Sequence, residues 1–461
     1  RALKKAKVVP LYKKDNKFDV GNYRPVSILC SLSKILERVV YDQLEQFLIG
    51  NNLLYEFQSG FRSKFSTDTC LIHLTDFIKE EISHGNYVGM ILIDLRKAFD
   101  TVDHAILCSK LKAMGLNDQS VQWFNSYLCH RTQLVEINGT KSDFNNISCG
   151  VPQGSILGPI LFNIYVNDMV SSVQCKLLLY ADDSCLIVSN KDKNIIESTL
   201  TNEIENLSKW LVDNKLSLHL GKTESILFGS KSKLKKCSKL NISCNGFPIA
   251  SKTQVKYLGA LLDQSVSGNP MATGVLKKAN HRLKFLYRQG KYLDKDSKKT
   301  LCQSLVLTHF DYSCSSWHSG LLAQNKKRLQ TCQNKLARYC LNLTARSHIG
   351  PEELDSLGWL DVHHRVCQMK LTHVHKIFNN SAPKYLEHNF HRLNTIHSYN
   401  TRGSSFNFYE QSVNSISEKT FYHTGIKLWN HLPKSIQTIE PLHTFKSKLK
   451  LHLKEEMYRK E

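Results

Sequence analysis

Cys175-Lys176-Leu177-Leu178-Leu179-Tyr180-Ala181-Asp182-Asp183-Ser184-Cys185-Leu186-Ile187-Val188 is the stretch that decides how this chain folds. Two short apolar runs flank a tight polar break, the pattern of a β-hairpin with acidic residues at its turn. Adjacent carboxylates repel, and each raises the other's pKa unless a cation is near. Oxygen-only ligands on a rigid turn suit Mg²⁺, which takes one or two protein carboxylates and fills its remaining positions with water and substrate phosphates. A lone Asp-Asp is otherwise an ordinary solvated turn, because Asp is a favoured turn residue. The remainder of the chain has to separate the two readings.

Upstream, Tyr87-Val88-Gly89-Met90-Ile91-Leu92-Ile93-Asp94-Leu95 is an almost continuous apolar run carrying one acid near its end, as in a fully buried strand. A single charge there is costly unless paired or metal-bound. Asp94 is remote from Asp182 along the chain, so only the fold can bring them together. Ile93-Asp94-Leu95-Arg96-Lys97-Ala98-Phe99-Asp100 resembles motif A of reverse transcriptases, and Gly150-Val151-Pro152-Gln153-Gly154-Ser155-Ile156-Leu157-Gly158-Pro159 resembles motif B. Tyr180-Ala181-Asp182-Asp183 resembles motif C. Trp210 with Asn214-Lys215-Leu216-Ser217-Leu218 and Gly221-Lys222-Thr223-Glu224 resembles motif D, and Tyr257-Leu258-Gly259 resembles motif E, the primer grip. With all five in order, the chain is similar to the reverse transcriptases of non-LTR, LINE-type retrotransposons of the jockey and CR1 kind, from about Ala6 to Leu453.

The resemblance implies an α+β right-hand polymerase fold: fingers, a palm with an antiparallel sheet and helices, a helical thumb, and a basic helical C-terminal extension. It divides the chain into partial fingers (1–85), palm with motifs A to E (86–265), thumb (266–345) and extension (346–461). It implies that Asp94, Asp182 and Asp183 are the catalytic carboxylates and hold two Mg²⁺ ions, with Mn²⁺ as a substitute. In the two-metal scheme such ions sit about 3.5–4 Å apart and bind the attacking hydroxyl and the leaving group. Phe99 becomes the bulky side chain against the incoming sugar, selecting dNTPs; a packing aromatic is its ordinary alternative. Gln153 and Gly154 fall beside the templating base and nucleotide. Lys222 falls near the leaving pyrophosphate, and Arg24, with Lys13 or Lys14, at the triphosphate. Arg62, Tyr180, Tyr257, Leu258 and Gly259 fall on primer or template. Basic and aromatic residues interleave over Phe57–Thr67, which suits a template strand.

The expected reaction is RNA-directed addition of dNTPs to a DNA 3′-end, by target-primed reverse transcription in a full element. Its partners are an RNA template and a DNA primer or target. A second reading is a truncated, catalytically inactive nucleic-acid-binding relic. A third, an RNA-dependent RNA polymerase, is disfavoured by the aromatic at Phe99. Starting at Arg1 inside a fingers-like motif, the chain reads as a fragment.

Composition agrees. The formal charge is +22, from 62 Lys and Arg against 40 Asp and Glu over 461 residues, which predicts a polyanionic partner. No apolar run approaches the ~18 residues that span a bilayer, so no membrane partner is expected; the resemblance implies an intracellular protein, in nucleus and cytoplasm as for a retroelement ribonucleoprotein. The 14 scattered cysteines read as reduced, buried thiols. His363, His364, Cys367, His373 and His375 crowd together, but the same stretch reads as a helix, and finger-like spacing is missing. Local patterning predicts helices over 28–49, from a cap at Asp68 to about Ile82, over Asp103–Met114, 156–169 and 194–213. It predicts strands over 87–95, 132–149, 175–189, 216–228 and 241–262, with Asn245-Gly246 as a hairpin turn. The palm helices are expected on one face of the sheet.

Overall fold

A computed structural model describes residues 2–13, 16–290, 292–396 and 406–459. β1 (Lys5–Tyr12) and β2 (Tyr23–Ile28) form a hairpin; β3 (Tyr87–Ile93) is the central strand of a second sheet. β4 (Arg131–Ile137), β5 (Thr140–Lys141) and β6 (Asn145–Ile147) return to the hairpin, with β4 parallel to β1. β7 (Lys176–Tyr180), β8 (Asp183–Asn190), β9 (Glu224–Phe228), β10 (Ile242–Cys244) and β11 (Phe247–Lys252) complete the central sheet in the order β10-β11-β9-β3-β8-β7. β12 (Gln254–Tyr257) and β13 (Ala260–Asp263) form a separate hairpin. Six long helices belong to this half: α1 (Ser31–Gly50), α2 (Thr67–Ser83), α3 (His104–Ala113), α4 (Asp118–Leu128), α5 (Leu157–Val166) and α6 (Lys193–Asp213).

The sheet is covered on both faces, not one. Ile91, Ile93, Leu177, Leu179 and Leu186 meet α3 to α6 on one side. Val88, Met90, Leu178, Cys185 and Ile187 meet α2 and the β12–β13 hairpin on the other. This is why the β3 run is continuously apolar: a strand buried on both faces has no polar side to alternate. Gly89 admits α6 at close range, since a Cβ there would stand 2.3 Å from Ile196 Cγ2. In the β3–β8 register Ile93 pairs with Ser184, and β7–β8 pairs Tyr180 with Asp183, so Asp94 emerges beside the acidic turn.

Several expected elements shift. Helix α1 starts at Ser31 because residues before it are held in β2. Its apolar spacing does not decide which face is covered. Leu32 (67% exposed) and Ile35 (65%) face out, whereas Glu37 (1%) is buried and accepts from Ile156 N at 2.7 Å. The cap of α2 is Ser66, in a capping box with Thr69; Asp68 lies in the first turn. Over 216–228 only Glu224–Phe228 is a strand, and 216–223 contributes a single bridge, Leu95 to Leu218. Asn245-Gly246 makes its hairpin, with both residues at positive φ.

From 269 on the described regular elements are helices, apart from an isolated bridge between Arg392 and Phe408. Helices Asn269–Gln289 and Ala323–Leu341 share a core with Trp317 and Trp359 that runs unbroken from Met271 to Val366 and takes in Met457. Helices Val362–Phe378, Phe421–Asn430 and Leu442–Arg459 build another around Trp429, Phe421 and Phe445, and this core includes Ile72 of α2. The histidine-rich stretch is helical. His364 Nδ1 bonds Asp361 (2.9 Å), His375 Nε2 bonds Ile439 O (2.7 Å), and among the described residues no metal-holding His, Cys, Asp or Glu group forms. All the cysteines are free thiols.

Candidate active site

Ala181-Asp182 joins β7 to β8, with Ala181 at φ 56°. A positive φ at the first central residue of a two-residue hairpin is the type II′ pattern, where glycine is usual. An alanine there is strained, and such strain persists only where surroundings over-determine it. The loop at 57–60 does this. Buried Gln58 accepts through Oε1 from Ala181 N (3.1 Å) and Gly60 N (2.9 Å). Ser59 N donates to Leu179 O (2.8 Å), and Leu179 N to Phe57 O (3.1 Å). Asn163 Nδ2 donates to Gly60 O at 2.7 Å. A Cβ on Gly60 would stand 2.4 Å from Ala181 N, so only glycine allows this approach.

Asp94 leaves the end of β3 and is tied back at once. Its carbonyl accepts from His219 N (2.8 Å), and Arg96 N donates to Ser217 O (2.9 Å). That pairing brings Lys222 Nζ to 3.7 Å from Asp94 Oδ2. Asp94, Asp183, Lys222, Glu224, Lys256 and the 257–259 turn line an open cleft of about 260 Å³. The Asp183 carboxyl is pushed up to about 6, by burial first and then by the charges of Asp182 and Asp94; Arg24 opposes the shift. Asp182 is raised chiefly by burial, with Arg24 and Lys13 pulling it down and Asp94 pushing it up. The three carboxylates therefore feel one another, and the only donors are hard oxygens, which suits a divalent cation. Among the described residues no three such side chains are gathered into a closed ligand set. Mg²⁺ needs none, since it keeps water and substrate phosphates in its shell.

Arg24 on β2 and Lys13 just beyond β1 are exposed, and both act on the Asp182 charge; Lys14 lies outside the described residues. Phe99 is half-buried, stacked on Phe162 with centroids 4.4 Å apart and edge-on to Phe61 at 6.2 Å. Gln153 Nε2 donates to Asp100 Oδ1 (2.9 Å), and its carbonyl accepts from Ser27 N (2.8 Å). Gly154 sits at φ 136°, where a Cβ would lie 2.3 Å from Ser27 O. Motif B is thus clamped between the Phe99 turn and β2.

Two expected nucleic-acid contacts are employed otherwise. Arg62 turns inward, its Nη1 donating to Tyr55 O (2.8 Å) and Gln58 O (3.0 Å) while its guanidinium covers the Phe65 ring. Tyr257 is buried (3% exposed), its hydroxyl 3.9 Å from Cys70 Sγ. An aromatic inside an alternating strand follows the strand's buried side, and here that side faces α2. Tyr180 is half-buried beside the turn. Leu258 and Gly259 are both left-handed, and Tyr312 Oη donates to Leu258 O, so the turn is seated on the helical half. Gln58, Asn163, Asp100 and His219 escaped the sequence reading. Of these Asp100 and Gln58 stood inside recognised strings, with no role given to either; Asn163 and His219 act through contacts far from their place in the chain.

Comparison with known proteins agrees with this geometry. The family profile described as "Reverse transcriptase (RNA-dependent DNA polymerase)" matches residues 11–262. The chain is 28% identical over 334 residues to the RNA-directed DNA polymerase from mobile element jockey of Drosophila funebris, covering 69% of this chain and 36% of that protein. It is 28% identical over 329 residues to the probable RNA-directed DNA polymerase from transposon X-element of Drosophila melanogaster, covering 69% and 35%. The chain therefore spans about a third of the length of these relatives.

Proposed function

The chain belongs to the reverse transcriptase (RNA-dependent DNA polymerase) family, and from that premise we propose that it is the polymerase part of a non-LTR retrotransposon protein. It extends a DNA 3′-end on an RNA template with dNTPs, and in the full element takes its primer from nicked target DNA. The observation carrying this is the convergence of Asp94 and Asp183 on one cleft with Lys222, and of Arg24 and Lys13 on the charge of Asp182.

Asp94, Asp182 and Asp183 would hold the divalent ions. Mg²⁺ bound there supplies charge neutralisation for the attacking hydroxyl and the departing pyrophosphate. The exposed Arg24 and Lys13 bind triphosphate oxygens and offset the acidic turn. Lys222 stands close enough to Asp94 to follow charge onto the leaving group. Phe99 would stand against the incoming sugar, with Phe162 stacked on its ring. The turn at Leu258-Gly259 offers backbone to the primer. Among the described residues no helix is long and apolar enough to cross a membrane; the proposed partners are RNA, DNA and dNTPs, and the proposed setting is intracellular.

The test is dNTP incorporation by the purified chain on primed poly(rA) with Mg²⁺, beside Asp182→Ala. The wild type incorporates, and the variant loses activity while keeping template affinity. Polymerisation by Asp182→Ala overturns the carboxylate assignment. Tight binding without incorporation by the wild type selects the inactive relic instead.

A further inference from the structure

The C-terminal segment is joined to α2 and to residues 316–319 by buried polar contacts. Asp76 of α2 accepts from Phe421 N (2.8 Å) and Tyr422 N (3.0 Å), capping helix Phe421–Asn430 from across the seam. Beside it Lys79 Nζ donates to Ser316 O (3.2 Å) and Lys419 O (3.0 Å). Lys370 Nζ donates to Ser319 Oγ (2.5 Å) and Thr424 Oγ1 (2.7 Å). Buried charges persist only when bonded in this way, and removing one partner strands the other. The seam is therefore a fixed contact.

One arm of the segment reaches the loop that braces the catalytic turn. Tyr385, on the short helix Lys384–Glu387, is buried against Phe57 (5.8 Å), Phe65 (5.7 Å) and His73 (4.8 Å). Its hydroxyl donates to Thr69 Oγ1 (3.2 Å) and stands 3.0 Å from Ser59 Oγ. Thr69 Oγ1 in turn donates to Ser66 O (2.9 Å), so Ser59 Oγ is left to donate to Tyr385 Oη, and the three hydroxyls form one polarised chain running from Ser59 to the Ser66 carbonyl. Ser59 is the residue whose N–H is bonded to Leu179 O, and its neighbour Gln58 holds Ala181 N. Lys64 Nζ adds a second tie from the same loop, to Asn380 O at 3.1 Å.

We propose that Tyr385 is a positioning residue for the polymerase: through Ser59 and Gln58 it holds the strained Ala181 turn, and so the aim of Asp182 and Asp183. The C-terminal segment is then part of the working catalytic unit. A turn with a left-handed alanine has no local reason to keep its shape, because glycine-free chains avoid that region. The loop 57–60 supplies the reason, and Tyr385 supplies a footing for the loop. This rests on the polymerase reading for its rate readout alone.

The experiment compares wild type, Tyr385→Phe and Ser59→Ala in the full chain. Tyr385→Phe keeps the stacked ring and removes one hydroxyl; Ser59→Ala removes the same bond from its other end. Amide hydrogen exchange over 176–188 is expected to quicken by about two- to tenfold at Ala181 in both, the range one buried hydrogen bond spans, and the double variant is expected to be no worse than either single one. Incorporation on primed poly(rA) falls by a similar factor and needs more Mg²⁺, while primer–template affinity holds. Exchange unchanged at Ala181 in both variants overturns the proposal, as does a lowered melting temperature with no local change. Faster exchange in a chain whose wild type never incorporates dNTPs retires the polymerase reading and leaves the positioning role standing.

Discussion

Phe99 serves two neighbours at once. Its ring lies against Phe162 and meets the edge of Phe61, so it is both a member of the palm core and a wall of the proposed sugar site. Phe99→Val should therefore change two measurable quantities. Loss of the stack and of buried area should lower stability in urea by about 1–3 kcal/mol. The shorter side chain should also admit rNTPs, read as incorporation of rNTP against dNTP on the same primer. Lost stability with unchanged sugar discrimination would make Phe99 a packing residue only. Gly60 is the opposite case: it tolerates one residue only, because a single added Cβ would stand 2.4 Å from Ala181 N.

At the scale of elements, α1 shows how one polar contact can set the rotation of a helix. Leu32, Ile35, Leu36 and Val39 form the stripe that periodicity would bury, yet they stand outside while Glu37 is inside. The carboxylate of Glu37 receives Ile156 N just before α5 begins, where unsatisfied N–H groups and the helix dipole favour negative charge. Leu44 and Leu48, further along, do bury against the palm. Glu37→Leu should cost about 1–3 kcal/mol by stranding that N–H. Glu37→Gln keeps an acceptor and should cost less, by urea midpoint. Equal losses would mean that charge, not the bond, does the work.

Across the whole molecule, the seam between α2 and the C-terminal segment makes stability depend on acid. His73 of α2 is buried under Tyr385 and Phe57, with Lys176 Nζ 3.3 Å from its Nε2. Burial first, and then the Lys176 charge, depress its pKa to about 3; burial, then Lys370, lowers His318 to about 3 as well. The unfolded chain protonates such a group near its ordinary value, about 6.5, while the folded one does not. Stability is thus complete above that pH and is lost as pH falls from about 6.5 toward 3. Wild type should lose urea resistance more steeply than His73→Gln over that window; parallel curves would show that the ring tolerates its proton. The charge of +22 carries a separate expectation. Affinity for primed poly(rA) should fall steeply with salt, because phosphate contacts release counterions. A flat response would contradict a basic nucleic-acid channel.

The sequence by itself determined the features that depend on neighbours in the chain. The acidic hairpin, the buried strand ending at Asp94, the Asn245-Gly246 turn and the order of the five motif strings were all legible, since strand period, turn residues and local charge are written in consecutive positions. Only the tertiary structure decided which surfaces were covered and by what. Apolar periodicity says that a face needs a partner without naming it. Hence the apolar spacing of α1 did not show which face is covered, Tyr257 and Arg62 were placed on primer or template while the fold buries one and turns the other inward, and the second cover of the sheet was missed. The brace on Ala181 joins residues from 58, 163 and 385, and no local pattern announces a contact whose strength comes from excluding water between segments that meet only on folding.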